Sequence, residues 1–495
     1  MSHSYYGVEF NGRTYYYNVK LLPYQTFEYE GHTYLLNVEK VVVDRIEKYL
    51  SAALEKISLN SNIPVPESIL EKLMRLELVA EDAPLWEEVQ ETEPDKQGSQ
   101  EKRPAVDLTK FPVHGLALSI VQSCNLKCIY CYGNEGEYGN EGIMDERTAF
   151  RSVDWLIERS GGAKKLSIIF IGGEPLLNLP LLKKVVEYAE RRAEEKGKEI
   201  RFGMTTNATL LNDDVISYLK KYKIGPLISF DGPAQDANRP FKDGQGSSDI
   251  VVKNIKKLLA VMPDITCRAT VTEEEHPAKV ADIIKEIGVM SCLILPATPS
   301  LFGNYANSIT RNPDKMLEYH EKDARECLEM IKRRDEKSWY PAALRMIEQL
   351  FSKRKRHYFC GAGRGYLGVS ATGDIYPCHA FNGTEGMKLS TVFDDNLDRA
   401  VYQRGIVNRI EKCKTCWVKY FCGGGCMHVN KAITGELFDP DDVYCQETKH
   451  SVKLAIHVYC QLDEADKEFL QKILKKQEGS EELHKDPTLT DKAQV

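Results

Sequence analysis

Six short apolar runs spaced by helical stretches occupy the middle of this chain and leave few folds open to it. They are GLALSIV (115–121), KLSIIFIG (165–172), IRFGMTTN (200–207), GPLISFDG (225–232), ITCRATVT (265–272) and SCLILPA (291–297). Each has strand length, and amphipathic segments such as LPLLKKVVEYAERRAEEK lie between several of them. Such a repeat builds a parallel sheet, because each helix returns the chain to the same end of the sheet. Eight repeats close a full barrel; six predict an α/β fold with a partial, TIM-like (β/α)6 barrel. Reactive residues of such sheets sit on loops leaving the C-terminal ends of strands. SCNLKCIYCYG (123–133) leaves the first strand and GGEP (172–175) leaves the second, so both open on one face.

A chain of 495 residues is too long for one core. Residues 1–80 read as a unit of their own. Asn11-Gly12 and Glu30-Gly31 sit at hairpin turns. Asn37 is expected to cap a helix carrying Val38, Val41, Val42, Ile46 and Leu50, and Pro66 to open a second with Ile69, Leu73 and Leu76 on one stripe. Strands followed by helices suggest a winged-helix-like module. Residues 81–108 have linker composition. The barrel spans 109–345, a cysteine-rich region 346–464, and a C-terminal helix and tail 465–495, disordered beyond about 477.

Net charge is −7, which gives no overall basic field for nucleic acid; KRKR at 353–356 reads as solvated surface. Residues 1–30 have no apolar core of a signal peptide, and no run approaches a membrane span. The expected location is the cytoplasm. There, fourteen cysteines argue for metal or redox chemistry over a disulfide framework.

Cys124-x3-Cys128-x2-Cys131 is neither a zinc-knuckle pair nor a ferredoxin run. Three thiolates can hold three corners of a 4Fe–4S cube and leave the fourth iron open to a small molecule. Zinc is the alternative. This motif, with Tyr130 before its last cysteine, resembles the radical S-adenosylmethionine (SAM) superfamily. The resemblance implies a SAM-binding cluster on Cys124, Cys128 and Cys131. It makes Gly172, Gly173, Glu174 and Pro175 the motif that meets the SAM amino group. Thr205 and Asn207 match the ribose-side segment, Ser229 ends the fourth strand, and Arg268 pairs with the SAM carboxylate. Asp231 and Arg239, in SFDGPAQDANR, are expected at the catalytic chamber, with a structural ion pair as the alternative.

A second cysteine field begins with Cys360, then Gly373 and Cys378, and continues as Cys413-x2-Cys416-x5-Cys422-x3-Cys426 and Cys445. It resembles the SPASM extension of radical SAM enzymes, which implies two auxiliary 4Fe–4S clusters and three in all. By that resemblance Cys413, Cys416, Cys422 and Cys445 hold one, and Cys360, Cys378 and Cys426 the other. A zinc ribbon on Cys413, Cys416, Cys422 and Cys426 is the alternative. Two fully ligated cubes need eight thiolates, and residues 361–377 supply no eighth, so one iron is a candidate for binding a substrate thiolate. His379 and His428 read as surroundings. Cys267, Cys292 and Cys327 read as core thiols, and Cys460 as a stray ligand at most.

The first eighty residues resemble, in pattern only, the RiPP recognition element of enzymes that modify ribosomal peptides. That implies a precursor peptide held by its leader, which raises the effective concentration of the core peptide at the barrel mouth and leaves that peptide free to move between modification sites. The combined expectation is a peptide maturase that forms thioether crosslinks from cysteine sulfur to carbon, fed by a flavodoxin- or ferredoxin-type reductant. An anaerobic sulfatase maturase, a carbon–carbon crosslinking maturase and a metal-bound DNA sensor are the rivals.

Overall fold

The computed structural model describes residues 5–80, 111–272, 274–302, 313–336 and 340–481. The expected linker and the last fourteen positions lie outside them. The expectation of disorder beyond 477 is corrected in part, because the last helix runs on to Glu481.

In the N-terminal module β1 (Tyr6–Phe10) and β2 (Arg13–Tyr17) form a hairpin, as do β3 (Tyr24–Tyr29) and β4 (His32–Asn37). Asn11 and Gly12 turn at φ 52° and 72°, Glu30 and Gly31 at 46° and 76°. Two left-handed residues in succession match the right-handed twist of the flanking strands. The helix expected from Asn37 is not there. Residues 42–46 form β5, paired with β4 from Asn37↔Val42, and α1 begins only at Lys48 and ends at Leu59. The run Val41-Val42-Val43 explains the difference, since β-branched side chains pack better on a pleated surface than on a helix. Asn37 is used elsewhere: its amide donates to the carbonyls of Leu76 and Glu77, 3.3 and 2.8 Å away. Pro66 does precede a helix, α2 (Glu67–Arg75), after a short β6 (Val65–Pro66) that joins β2.

All six expected barrel strands are present and parallel, in chain order across the sheet. They are β7 (Gly115–Gln122), β9 (Lys165–Gly172), β10 (Glu199–Thr206), β11 (Gly225–Ser229), β12 (Thr266–Val271) and β13 (Ser291–Pro296); β8 (Gly142–Ile143) pairs with the end of β7. The helices α3 (Glu146–Arg159), α4 (Leu179–Glu195), α5 (Asp213–Lys221), the short α6 (Gln235–Asn238), α7 (Ser248–Leu259) and α8 (Pro277–Ile287) follow the strands. Alternate side chains point outward into the main core, including Ile168, Phe170, Phe202 and Ile228. The intervening ones point inward and line a cavity of about 1030 Å³.

The boundary drawn at 345/346 is also corrected, because it falls inside α10 (Ala343–Phe351). The later region adds to the barrel sheet instead of standing apart. β14 (Tyr366–Val369) pairs in parallel with β7, followed by β15 (Asp374–Tyr376) and β16 (Ser390–Thr391). After these come α11 (Glu411–Lys414), α12 (Lys419–Cys422), α13 (Met427–Thr434), α14 (Asp442–Tyr459) and α15 (Glu464–Glu481); α9 (Pro313–Arg333) and α10 pack on α14. The N-terminal module does not hang free. Phe27, Tyr34, Leu36, Val38 and Val41 share one buried core with α14 and the cysteine-rich segment 407–421.

Candidate functional site

Cys124, Cys128 and Cys131 leave the end of β7 and face the cavity. Backbone bonds seat their loop on the segment after β11: Lys127 N–H donates to Pro240 O at 2.8 Å and Ile129 N–H to Asn238 O at 3.0 Å. The Gly172-Gly173 turn packs against this loop with no room for a side chain. A Cβ on Gly173 would lie 1.9 Å from Ser123 O, and one on Gly136 2.3 Å from the Gly173 Cα. Gly172, at φ 134°, would place its Cβ 2.1 Å from Val121 O.

Burial pushes the Cys124 and Cys128 thiols up to about 12, with Arg239 partly opposing it at Cys128. Burial raises Cys131 too, against N–H bonds from Gly133, Gly136 and Glu135. Three thiols crowded in a desolvated wall cannot all ionise unaided. Bound iron would supply the missing positive charge, since a metal deprotonates a coordinating thiol. Their donor chemistry therefore fits an iron–sulfur cluster on the cavity wall.

The expected SAM-contacting residues separate into two layers. Gly172, Gly173, Thr205, Asn207, Ser229, Tyr130 and Arg268 line the cavity. Asn207 Nδ2 lies 3.7 Å from Cys124 Sγ and donates to Asn125 Oδ1 at 2.9 Å. Glu174 and Pro175 are not on the cavity wall. The Glu174 carboxylate is fully buried and accepts from Asn207 N (2.7 Å), Thr206 Oγ1 (2.8 Å) and Leu176 N (3.1 Å). Burial raises it to about 7. It ties the end of β9 to the end of β10 and so presents the two glycines.

Asp231 is likewise corrected. It lies behind the wall, 1% exposed, and accepts from the Tyr130 hydroxyl and from Thr270 N at 2.9 Å. Its Oδ2 pairs with Arg239 Nε at 3.0 Å. Arg239 reaches the cavity, with Nη1 4.0 Å from Cys128 Sγ and its guanidinium 5.2 Å from the Tyr130 ring centroid. Asp231 thus orients two residues that touch the first cysteine loop. The Arg268 side chain makes no hydrogen bond or ion pair among the described residues, while its backbone carbonyl accepts from Phe230 N at 3.1 Å. Its charge is felt at Tyr132, His379 and Cys426, which line the same cavity.

The second cysteine field divides in two. Cys378 is coupled electrostatically to Cys426 and Cys360, whereas Cys413 is coupled to Cys422, Cys416 and Cys445. The division disfavours the zinc-ribbon alternative, which needs Cys426 in the second set. Among the described residues no three His, Cys, Asp or Glu side chains converge on a single-ion site. Cys360, Cys378 and Cys426 face the same cavity as the first three cysteines; the other four do not. The N–H groups of His428 and Val429, at the start of α13, donate to Cys426 sulfur. Cys422 receives N–H bonds from Gly424 and Gly425, in a left-handed run at φ 75°, 94° and 76° over Gly423–Gly425.

Sequence reasoning missed the aromatic wall between the two cavity-facing sets. Tyr132 lies 5.6 Å from the His428 ring and 6.4 Å from the His379 ring, and Tyr138 OH donates to Gly172 O at 3.2 Å. His379 Nδ1 bonds Tyr366 OH at 3.0 Å, and His428 Nε2 is buried without a partner among the described residues. The only available signal was adjacency to cysteines. Cys267 and Cys292 sit opposite each other on β12 and β13, Cys327 is buried in α9, and Cys460 neighbours Asp44 and Arg45 of β5; none joins a cysteine set.

Residues 118–287 match the model of the radical SAM superfamily. An uncharacterized protein of Methanocaldococcus jannaschii, MJ0907, is 34% identical over 163 residues, which is 33% of this chain and 54% of that protein. The chain thus matches about half the length of that relative. The serine-type anaerobic sulfatase-maturating enzyme of Klebsiella aerogenes is 25% identical over 350 residues, 66% of this chain and 82% of the enzyme. The solved structure of native anSMEcpe with bound AdoMet and Cp18Cys peptide superposes with a TM-score of 0.57 at 19% identity. It covers 74% of this chain and 99% of the other, and shows that the fold is shared. Over residues 118–287, about a third of its length, the chain is therefore similar to the radical SAM superfamily, which marks that stretch as an enzyme domain.

Proposed function

We propose that this chain modifies a ribosomally made precursor peptide by joining a cysteine sulfur to a carbon of another residue; the C–H hydrogen atom would go to the 5′-deoxyadenosyl radical, the thiol proton to solvent and the remaining electron to an auxiliary cluster. The observation that carries the reading is the three-cysteine set Cys360, Cys378 and Cys426. It faces the same cavity as Cys124, Cys128 and Cys131, and residues 361–377 supply no eighth motif cysteine to complete it. A place for one external sulfur therefore lies where the peptide would be attacked.

Cys124, Cys128 and Cys131 hold the SAM-binding cluster in this reading, and the two later sets hold auxiliary clusters. When bound and reduced, the first cluster with SAM supplies a 5′-deoxyadenosyl radical that removes hydrogen from the substrate. The chain's own residues do the placing. Gly172 and Gly173 let backbone approach the cofactor, Thr205, Asn207 and Ser229 offer hydrogen bonds, and Arg268 offers a charged fork to a carboxylate. Asp231 locks Arg239 and Tyr130 beside the cysteine loop. The apolar wall of β9, β11 and β13 excludes water from reactive species. The N-terminal module binds the leader, and a flavodoxin or ferredoxin in the same compartment supplies electrons.

The similarity to sulfatase-maturating enzymes of Klebsiella and Clostridium supports a second reading, oxidation of a cysteine or serine to formylglycine. Anaerobic co-expression with the precursor, followed by mass spectrometry, separates the two. Loss of two hydrogen atoms per crosslink, with cysteines no longer alkylatable after reduction, supports the thioether. An aldehyde at a single residue supports the second reading, and a link that leaves every cysteine alkylatable supports carbon–carbon chemistry.

A further inference from the structure

The loop that carries three of the four outer cysteines is built into the N-terminal module. The turn joining β4 to β5 projects Glu39 onto this loop. Glu39 Oε1 lies 3.1 Å from Lys419 Nζ, and Tyr420 OH donates to Glu39 Oε2 at 2.9 Å. Lys419 sits between Cys416 and Cys422 in sequence, and its side chain is only 3% exposed. Trp417, next to Cys416, stacks on Phe27 of β3 with centroids 6.1 Å apart and planes at 29°. The turn also holds Val41, 1% exposed, at φ 53°. A β-branched residue in the left-handed region is strained, and persists only where its surroundings over-determine it. Here the surroundings are the core that also contains Val418, Tyr420 and Cys413.

A buried ammonium needs its carboxylate, because removing one partner leaves an uncompensated charge in a poorly solvated site. The carboxylate that pairs with Lys419 comes from roughly 380 residues away in sequence, as does the ring against Trp417, whereas the backbone acceptor of Lys419, Lys414 O at 3.1 Å from Nζ, is local. We infer that the N-terminal module is a structural member of the outer cysteine centre, with Glu39 and Phe27 as positioning residues for the segment Cys413–Cys422. This rests on the reading above that Cys413, Cys416, Cys422 and Cys445 hold an iron–sulfur cluster. Any peptide that displaces the β4–β5 turn is then transmitted to that cluster, which gives the module a second role beside recognition.

The test uses the full-length, anaerobically reconstituted protein. Glu39→Gln, Lys419→Met, the double variant and the milder Phe27→Leu are compared with wild type. Iron loss to an excess of chelator is followed, together with the electron paramagnetic resonance spectrum of the reduced protein. Glu39→Gln is expected to release one cluster's iron roughly tenfold or more faster. It should change one component of the spectrum and leave the remainder unaltered. The double variant recovers much of the lost retention, because it buries no unpaired charge; a simple packing defect would not be rescued by a second deletion. Wild-type chelator kinetics and spectrum in Glu39→Gln and Phe27→Leu overturn the inference. If Glu39→Gln does not fold, Phe27→Leu and the double variant decide by the same two readouts. The wild-type iron count is a separate control: iron for one cluster alone sinks the auxiliary-cluster reading itself, and this inference with it.

Discussion

Replacing Gly173 by alanine probes the contact on which the cofactor site is built. The added Cβ would stand 1.9 Å from Ser123 O, 2.2 Å from Ser123 C and 2.8 Å from Cys124 N. All three atoms are backbone, so no side chain can swing aside. Ordinary contact is about 3.5 Å, so the glycine turn and the cysteine loop must separate by more than about 1 Å. Overpacking of this kind costs roughly 1–3 kcal/mol of stability, which a chain of this size survives. A displacement of about 1 Å at a reacting centre, however, costs on the order of a hundredfold in rate. Gly173→Ala should therefore fold, with a melting temperature lowered by a few degrees, about 2–4 °C per kcal/mol. Reductive cleavage of SAM, followed as 5′-deoxyadenosine by chromatography, should fall about a hundredfold. Gly162→Ala is the control: an ideal Cβ there meets nothing within 4 Å, and activity should be unchanged. Cleavage by Gly173→Ala within twofold of wild type would refute the argument that these two loops need backbone contact.

Removing the cavity charge by Arg268→Met should weaken SAM binding about ten- to a hundredfold, the worth of a hydrogen bond to a charged group, with iron content unchanged; equilibrium dialysis measures the first and metal analysis the second. Asp231→Asn should leave the cysteines in place but release Tyr130 and Arg239, lowering SAM cleavage while near-wild-type iron is retained. Asp323 predicts a pH effect on stability. It is buried in α9, accepts from Ala342 N and Ala343 N at 2.9 and 2.7 Å, and is raised by burial to about 6 from 3.8. Its proton is lost first in the unfolded chain, so stability from this group is full below about pH 4 and falls as pH climbs through 6. The loss is of order 2–3 kcal/mol, and Asp323→Asn should flatten that part of the stability–pH curve measured by chemical denaturation.

The barrel was legible because its signal is local. Six apolar runs of strand length, each next to an amphipathic stretch, leave one economical arrangement, and β7 to β13 follow it. The cysteine loop and the glycine turn were legible for the same reason, since a short spacing at a strand end already fixes which face they share. The stretch from Asn37 to Leu50 was misread because valines fit either period, and only the pairing of β5 with β4 decides between them. Of the two layers of the site only the Asp231–Arg239 ion pair was anticipated, as an alternative. Glu174 and Asp231 carry the charges expected at a reaction centre, yet each is turned away from the cavity to accept hydrogen bonds from neighbouring strands. The seven later cysteines were divided only through the family resemblance, since spacing alone places Cys426 four residues after Cys422 and gives no hint that it lies with Cys378. The docking of Glu39 on Lys419 joins positions too far apart for any periodicity to reveal.

The most direct measurement is iron, acid-labile sulfide and zinc in the anaerobically purified protein, paired with assay of 5′-deoxyadenosine after reduction in the presence of SAM. Three cubes predict about twelve irons per chain, as much sulfide, and nucleoside formed only with reductant. Zinc at the cysteines, or intact SAM in the presence of fully reduced clusters, would contradict the account.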